Sequence, residues 1–231
     1  MSPATPRPTS PPVLLVHEFE PQHGLPQRLP AGERLLWQGT PRWTVLARRV
    51  FHVDWAAGYF ALMLAWVFAA TWQEQGDVLP ALRALRWVGP LALAALAMLL
   101  GLAWLTARNT VYTITDRRVV MRIGIVLTVA YNLPLTRIDA ADLRWLGRDG
   151  VGDLALTLEP ATRIAWLHLW PHARPWHVRR TQPMLRALPD AAAVAALLTE
   201  TWARANGTVA QPLAVDPPAA PSPRPALAAG H

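Results

Sequence analysis

The chain has 231 residues, a formal net charge of +7 and no cysteine, which excludes disulfide frameworks, thiolate metal sites and cysteine nucleophiles. Its 22 basic residues are all arginine, but no predicted helix carries a dense arginine patch and no RNA-binding signature occurs. Nucleic acid is therefore set aside, and anionic membrane lipid is the expected counter-surface for this apolar, tryptophan-rich chain.

Residues 1–27 are rich in proline (Pro3, Pro6, Pro8, Pro11 and Pro12) and are expected to be disordered. Residues 13–16 are too short for the apolar core of a signal peptide, so membrane insertion is expected to be directed by a later segment. Residues 28–50 form a leader, expected to be cytoplasmic. A transmembrane hairpin is predicted over residues 51–107. Its first span, residues 55–72, reads WAAGYFALMLAWVFAATW and has no charge over a length close to the ~20 residues that cross a bilayer. Trp55 and Trp72 stand at its ends, where amphipathic rings favour the headgroup zone. The second span, residues 87–107, is also free of charge, and Pro90 is placed in its first turn, where a missing N–H is harmless. The alternative is a pair of helices buried in a soluble core, but nothing else in the chain is large enough to cover both.

Arginine sets the expected orientation. Arg42, Arg48 and Arg49 precede the first span, and Arg108, Arg117, Arg118 and Arg122 follow the second. Between the spans, Glu74 and Asp77 balance Arg83 and Arg86. The excess on both outer flanks predicts cytoplasmic termini. Small residues recur at helical spacing, at Ala57, Ala61, Ala65 and Ala69 in the first span and at Gly89, Ala97 and Gly101 in the second. Such a face suits close packing within the hairpin or against a partner helix, unless it only reflects the high alanine content.

From residue 108 the period changes to two. Strands are predicted over residues 111–115 and 119–123, joined by a turn at Asp116 and Arg117. Gly124 allows a bend before a third strand at 125–132, which Leu133-Pro134 ends. Further strands are placed at 137–143, 154–159 and 164–169, with DGVGD at 149–153 as a turn. Residues 188–205 read as a helix, with Asp190 as its cap or first-turn acid. Its apolar stripe runs through Val194, Leu197, Leu198, Thr201 and Trp202. Residues 108–205 thus form one domain, six or seven strands closed by a helix, and residues 206–231 are expected to be a disordered tail.

The stretch TVYTITDRRVVMRIGI, residues 110–125, resembles bacterial pleckstrin-homology (PH) domains of membrane proteins. Their opening hairpin carries a Tyr-x-x-Thr-x-x-Arg pattern, whose places are held here by Tyr112, Thr115 and Arg118. The leader LPAGERLLWQGTPRW, residues 29–43, resembles that family's leader, with Glu33, Trp37, Gly39 and Pro41 in register. With IAWLHLWPHARPW at 164–176 and LPDAAAVAALL at 188–198, the chain resembles the PuhB-type photosynthetic complex assembly proteins of purple bacteria over about residues 25–205. That resemblance implies an α+β membrane protein: a two-helix transmembrane hairpin followed by a PH-like curved sheet or barrel capped by a C-terminal helix. It further implies a non-catalytic assembly factor, multi-pass in the inner (intracytoplasmic) membrane, that transiently binds reaction-centre and core light-harvesting antenna polypeptides. The alternative is a PH-like membrane adaptor that binds anionic lipid or other membrane proteins outside photosynthesis. Self-association into a homo-oligomer is left open.

No nucleophile elbow, Walker loop, HExxH or paired-carboxylate motif is present, so no catalytic residue is assigned. His168 and His172 are four apart, but Pro171 and Pro175 interrupt any helix there and no carboxylate is close, so neither a metal nor a cofactor is expected. Trp166, His168, Trp170, His172, Arg174 and Trp176 are instead candidates for partner binding, because Trp and Arg dominate interface hot spots; the alternative is a loop whose Trp166, Trp170 and Trp176 pack on the sheet edge or touch the membrane surface. Arg117, Arg118 and Arg122 are candidates for a lipid headgroup, since arginine grips phosphate oxygens in pairs. His52, just before the first span, is read as an interfacial histidine hydrogen-bonded to its surroundings.

Overall fold

The structure is a computed structural model that describes residues 14–15, 25, 29–125, 128–147, 149–160, 164–207 and 214–216. Most of the proline-rich start and of the tail read as disordered lie outside the described residues. The elements in chain order are β1 (Leu14–Leu15), β2 (Leu35–Gly39), α1 (Trp43–Arg49), α2 (Val53–Gln75), α3 (Val78–Asn109), β3 (Val111–Thr115), β4 (Arg118–Ile123), β5 (Val129–Pro134), a short 3-10 turn (Leu135–Arg137), β6 (Ile138–Trp145), β7 (Gly152–Leu158), α4 (Trp166–Leu169), β8 (Met184–Leu188), α5 (Ala191–Asn206) and β9 (Ala214–Asp216).

Both α2 and α3 are long and apolar enough to cross a membrane. At 1.5 Å per residue they extend about 35 and 48 Å. They run past the predicted spans because the segment between them is itself helical. Only Gly76, with φ at 66°, and Asp77 interrupt it, and the Asp77 carboxylate accepts the Leu79 N–H to start α3. Pro90 therefore lies inside α3, not in a first turn. The seam of the hairpin also differs from expectation. The buried alanines of α3 are Ala81, Ala92, Ala103 and Ala107, whereas Ala61, Ala65 and Ala69 of α2 and Ala97 of α3 are exposed. The alanine face of α2 turns away from the hairpin instead of packing within it.

The strands form two sheets, not one continuous curved sheet. The first has the order β1-β5-β4-β3-β2 and the second β8-β7-β6-β9. All pairings are antiparallel except β6 with β9. Inner-face residues such as Tyr112, Ile114, Met121, Leu154 and Leu185 meet Val194 and Leu198 of α5 in one core. This is the expected strand-rich domain with a closing helix. The Trp202 indole N–H donates to the Ile138 carbonyl at 2.7 Å and fixes the far end of α5. Asp190 precedes α5 in a left-handed conformation and makes no side-chain cap, so its predicted capping role is not found.

Three local expectations are corrected. Residues 164–169 hold the single turn of α4 rather than a strand, because Leu169 and Trp166 turn into the core. Pro134 ends β5 within the ladder, opposite Arg118, rather than breaking the strand before it. β8 lies where no strand is predicted and shares only Leu188 with the predicted helix, because Leu185 and Leu188 are wholly buried against β7. The predicted bend at Gly124 is present, with φ at 129°.

The leader joins the domain. β2 pairs antiparallel with β3 from Leu35 opposite Thr115 to Gly39 opposite Tyr112. Gly39 is required here by close approach: a Cβ at this position would lie 2.4 Å from the Trp37 ring, which packs against the core. Gly39→Ala is expected to displace that ring and destabilise the fold by about 2 kcal/mol, measured as a lower melting midpoint with Trp37→Leu as the comparison.

Candidate functional site

The region where the long helices meet the domain is built from residues far apart in sequence. α3 ends at Asn109 and β3 begins at Val111, so helix and sheet share one continuous backbone with only Thr110 between. The short helix α1 wedges into the corner. Leu46 is fully buried and clusters with Ala107, Val151 and Ala187, with Val50, Phe51 and Leu146 around them. Hydrogen bonds reinforce this corner: the Arg42 N–H donates to the Ala187 carbonyl at 2.9 Å, and the Arg49 guanidinium donates to the Leu146 carbonyl at 3.1 Å. Ala187 holds a left-handed φ of 49°, uncommon for a residue with a Cβ. The buried Asp153 carboxylate accepts the Ala187 N–H at 2.8 Å and braces it there. Burial pushes the Asp153 carboxyl above its usual range, and that backbone N–H works against the rise.

A buried polar chain runs beside this corner. The Tyr112 hydroxyl accepts the Arg186 N–H at 3.1 Å and lies 2.7 Å from His172 Nδ1. His172 Nε2 lies 3.2 Å from Thr110 Oγ1, which donates to the Thr106 carbonyl at 2.7 Å. One proton assignment satisfies every member: Tyr112 donates to Nδ1, and a neutral imidazole donates from Nε2 to Thr110. Burial, with the Arg186 charge as a second cause, lowers the His172 pKa to about 3. Burial also holds the Tyr112 hydroxyl far above the usual phenol range. Arg186 is buried too; its guanidinium donates to the Ala173 carbonyl at 3.0 Å, and burial lowers its pKa. The chain links α3, β3, β8 and the loop after β7.

Of the Tyr-x-x-Thr-x-x-Arg residues, Tyr112 and Thr115 are fully buried and Arg118 is half-buried. Arg118 donates from Nε and Nη2 to the two carboxylate oxygens of Glu33, both at 2.8 Å. Thr115 donates to Glu33 Oε1, also at 2.8 Å. Glu33 has a side chain only 3% exposed, and Arg118 one 29% exposed. The headgroup role expected of Arg118 is corrected accordingly: its fork already holds a buried carboxylate. Arg117 is exposed and reaches the Gly32 carbonyl at 3.5 Å. Both sit at the end of β3 away from α3, about 13 Å along the strand from Val111 at ~3.3 Å per residue. Arg122 pairs with Val111 at the helix end of the sheet, is half-buried and has its Nε enclosed. The three arginines expected to act together therefore occupy two ends of the sheet.

The tryptophan-rich loop is divided in the same way. His172 is 1% exposed, which corrects its assignment to a docking surface. Trp166 is half-buried against the core. Arg174 is half-buried and tied to Asp142 at 2.7 Å and to Gln182 at 3.0 Å. His168 is exposed, so the two histidines do not face one another. Trp170 is 53% and Trp176 95% exposed. Trp176 stands at the tip of a hairpin closed by Ala173 opposite Pro183, with Val178, Arg179 and Arg180 exposed beside it. His52 is exposed, its Nδ1 2.9 Å from the Val50 carbonyl. Among the described residues no group of three or more His, Asp or Glu side chains is arranged to hold a metal ion.

Comparison with known proteins adds three findings. The family described as "Bacterial PH domain" matches residues 49–202. A Rhodobacter capsulatus protein described as "Uncharacterized 23.7 kDa protein in puhA 5'region" is 42% identical over 185 residues, which cover 79% of this chain and 86% of that relative. No solved structure matches.

Proposed function

The chain belongs to the bacterial PH domain family, and from that premise we propose that it is a membrane-anchored, non-catalytic assembly factor for the photosynthetic reaction centre and its core light-harvesting complex. The observation that carries this reading is the relative encoded in the puhA 5' region, similar over most of both chains. It agrees with the resemblance of the leader, the hairpin and the tryptophan-rich loop to photosynthetic complex assembly proteins.

In this reading α2 and α3 cross the inner (intracytoplasmic) membrane, with both termini and the PH-like domain on the cytoplasmic side. Exposed tryptophans support the spans. Trp55 and Trp72 are seventeen positions apart in α2, as are Trp87 and Trp104 in α3. That separation is about 25 Å along a helix, close to the ~30 Å hydrocarbon thickness that interfacial aromatic rings flank. The α3 pair lies about 9 Å nearer the domain by the same rise. Reaction-centre or antenna helices would meet the outward alanine face of α2, where small side chains allow close approach. The Trp176 tip offers an exposed aromatic and two guanidinium groups to a cytoplasmic segment of the same partners.

Affinity capture of the tagged protein from mildly solubilised photosynthetic membranes is expected to recover reaction-centre and core antenna polypeptides. Deletion of the gene is expected to lower the amount of the assembled complex. Normal complex levels in the deletion strain, with none of those polypeptides captured, would end the reading and favour a lipid-binding adaptor outside photosynthesis.

A further inference from the structure

The loop after β7 touches the foot of both long helices. Trp170 meets Phe51 edge to face, with ring centroids 6.0 Å apart, and Phe51 lies just before α2 begins at Val53. Two residues beyond Trp170, His172 bonds Thr110, the residue that ends α3. A segment pinned to the same end of both helices sits at the level where they enter the domain. The intervening turn, α4, is two-sided. Leu169 is fully buried, whereas Leu167 is 76% exposed and Trp170 half so. Exposing two large apolar groups to water is unfavourable by about 25 cal/mol per Å²; in a headgroup layer the same groups are stabilising. Cations stand on the neighbouring elements: Arg108 lies over the Trp104 ring at 5.2 Å near the end of α3, and Arg48 is exposed on α1, although its guanidinium is 3.9 Å from the Asp54 carboxylate.

We infer that α4 is a third membrane contact, seating Leu167 and Trp170 in the headgroup layer of the leaflet at the helix feet, with Arg108 facing anionic phosphates. This rests on the reading of α2 and α3 as membrane spans. Trp176 does not share the contact. The hairpin that carries it follows the edge of β7 past Thr157, which Gln182 contacts at 3.1 Å. Thr157 is near the end of β7 opposite Gly152, and Gly152 adjoins the Val151 corner at the helix feet.

The absence of native cysteine makes the test direct. Full-length Leu167→Cys, Leu62→Cys and Trp176→Cys variants are each labelled with an environment-sensitive fluorophore. They are reconstituted into vesicles of phosphatidylcholine with a minority of phosphatidylglycerol, containing lipids with a nitroxide either high or deep on the acyl chain. The Leu167 label is expected to lose about half or more of its emission to the shallow nitroxide, as interfacial groups do. The Leu62 label, midway along α2, should respond to the deep nitroxide, and the Trp176 label to neither. Deep quenching at Leu62 without shallow quenching at Leu167 overturns the α4 contact and leaves the spans standing. No quenching at either position overturns both. Equal quenching at Trp176 and Leu167 would mean that the domain lies flat on the bilayer, which also overturns a contact confined to α4.

Discussion

Arg118→Ala is expected to be the most damaging single change among the motif residues. It leaves the Glu33 carboxylate enclosed with only the Thr115 hydroxyl at hand. Removing one partner of a buried ion pair typically costs about 3–5 kcal/mol, a fall in melting midpoint on the order of 10 °C for a chain of this size. The damage should spread to the leader, because Arg34 and Asp116 close β2 onto the β3–β4 turn beside this pair. Arg117→Ala, one residue away, should change little, since the exposed Arg117 guanidinium has only a long contact with Gly32. A double Glu33→Leu/Arg118→Leu variant, which removes both charges, should recover much of the lost stability. Thermal unfolding followed by tryptophan fluorescence checks all three, and equal midpoints for Arg118→Ala and Arg117→Ala would refute the clamp.

Acidification is expected to weaken the fold through His172. Its folded pKa is lowered to about 3, whereas an unfolded histidine titrates near ~6.5. Between those values the unfolded chain binds a proton that the folded chain refuses. Stability therefore falls as pH drops through this window, by up to about 1.4 kcal/mol per pH unit, and by about 2 kcal/mol at a pH of about 5. Asp153 acts in the opposite sense. Its raised pKa means that the folded state takes up a proton first, which offsets part of the loss at the acid end. His172→Gln separates the two. The amide can still accept from Tyr112 and donate to Thr110, so the variant should fold, start somewhat less stable near neutrality and show a flatter decline towards acid pH. Melting midpoints measured across that range test this, and parallel curves for the two proteins would reject it.

Much of the architecture was legible because it is written in short-range patterns. The β3–β4 hairpin follows from strict alternation, the long helices from uncharged length, and α5 from its apolar stripe. What escaped depends on contacts between distant residues. α1 has only seven residues and is held by Ala107, Val151 and Ala187, none of them near it in sequence. The stretch between the predicted spans reads as a loop because its polar residues suggest water, whereas the helix stop at Gly76 and start at Asp77 allow it to be helical. For the site, the letters Tyr112, Thr115 and Arg118 stood out in the sequence, but their partners lie 60 to 85 residues away. Exposure cannot be read from residue type, which is why the burial of His172 and the half-burial of Arg118 do not follow from the sequence. A buried role for Glu33 was the available clue: a lone carboxylate in register within an apolar leader needs a cation to pair with.

The direct passage of α3 into β3 through Thr110, clamped at the side by α1, leaves no hinge at the foot of the hairpin. Where the hairpin spans a bilayer, its inclination follows the thickness of the hydrocarbon it must match. The PH-like domain would then turn with it like a weathervane on a fixed mast, so that thinner or thicker membrane regions present the same surface to passing proteins at different angles.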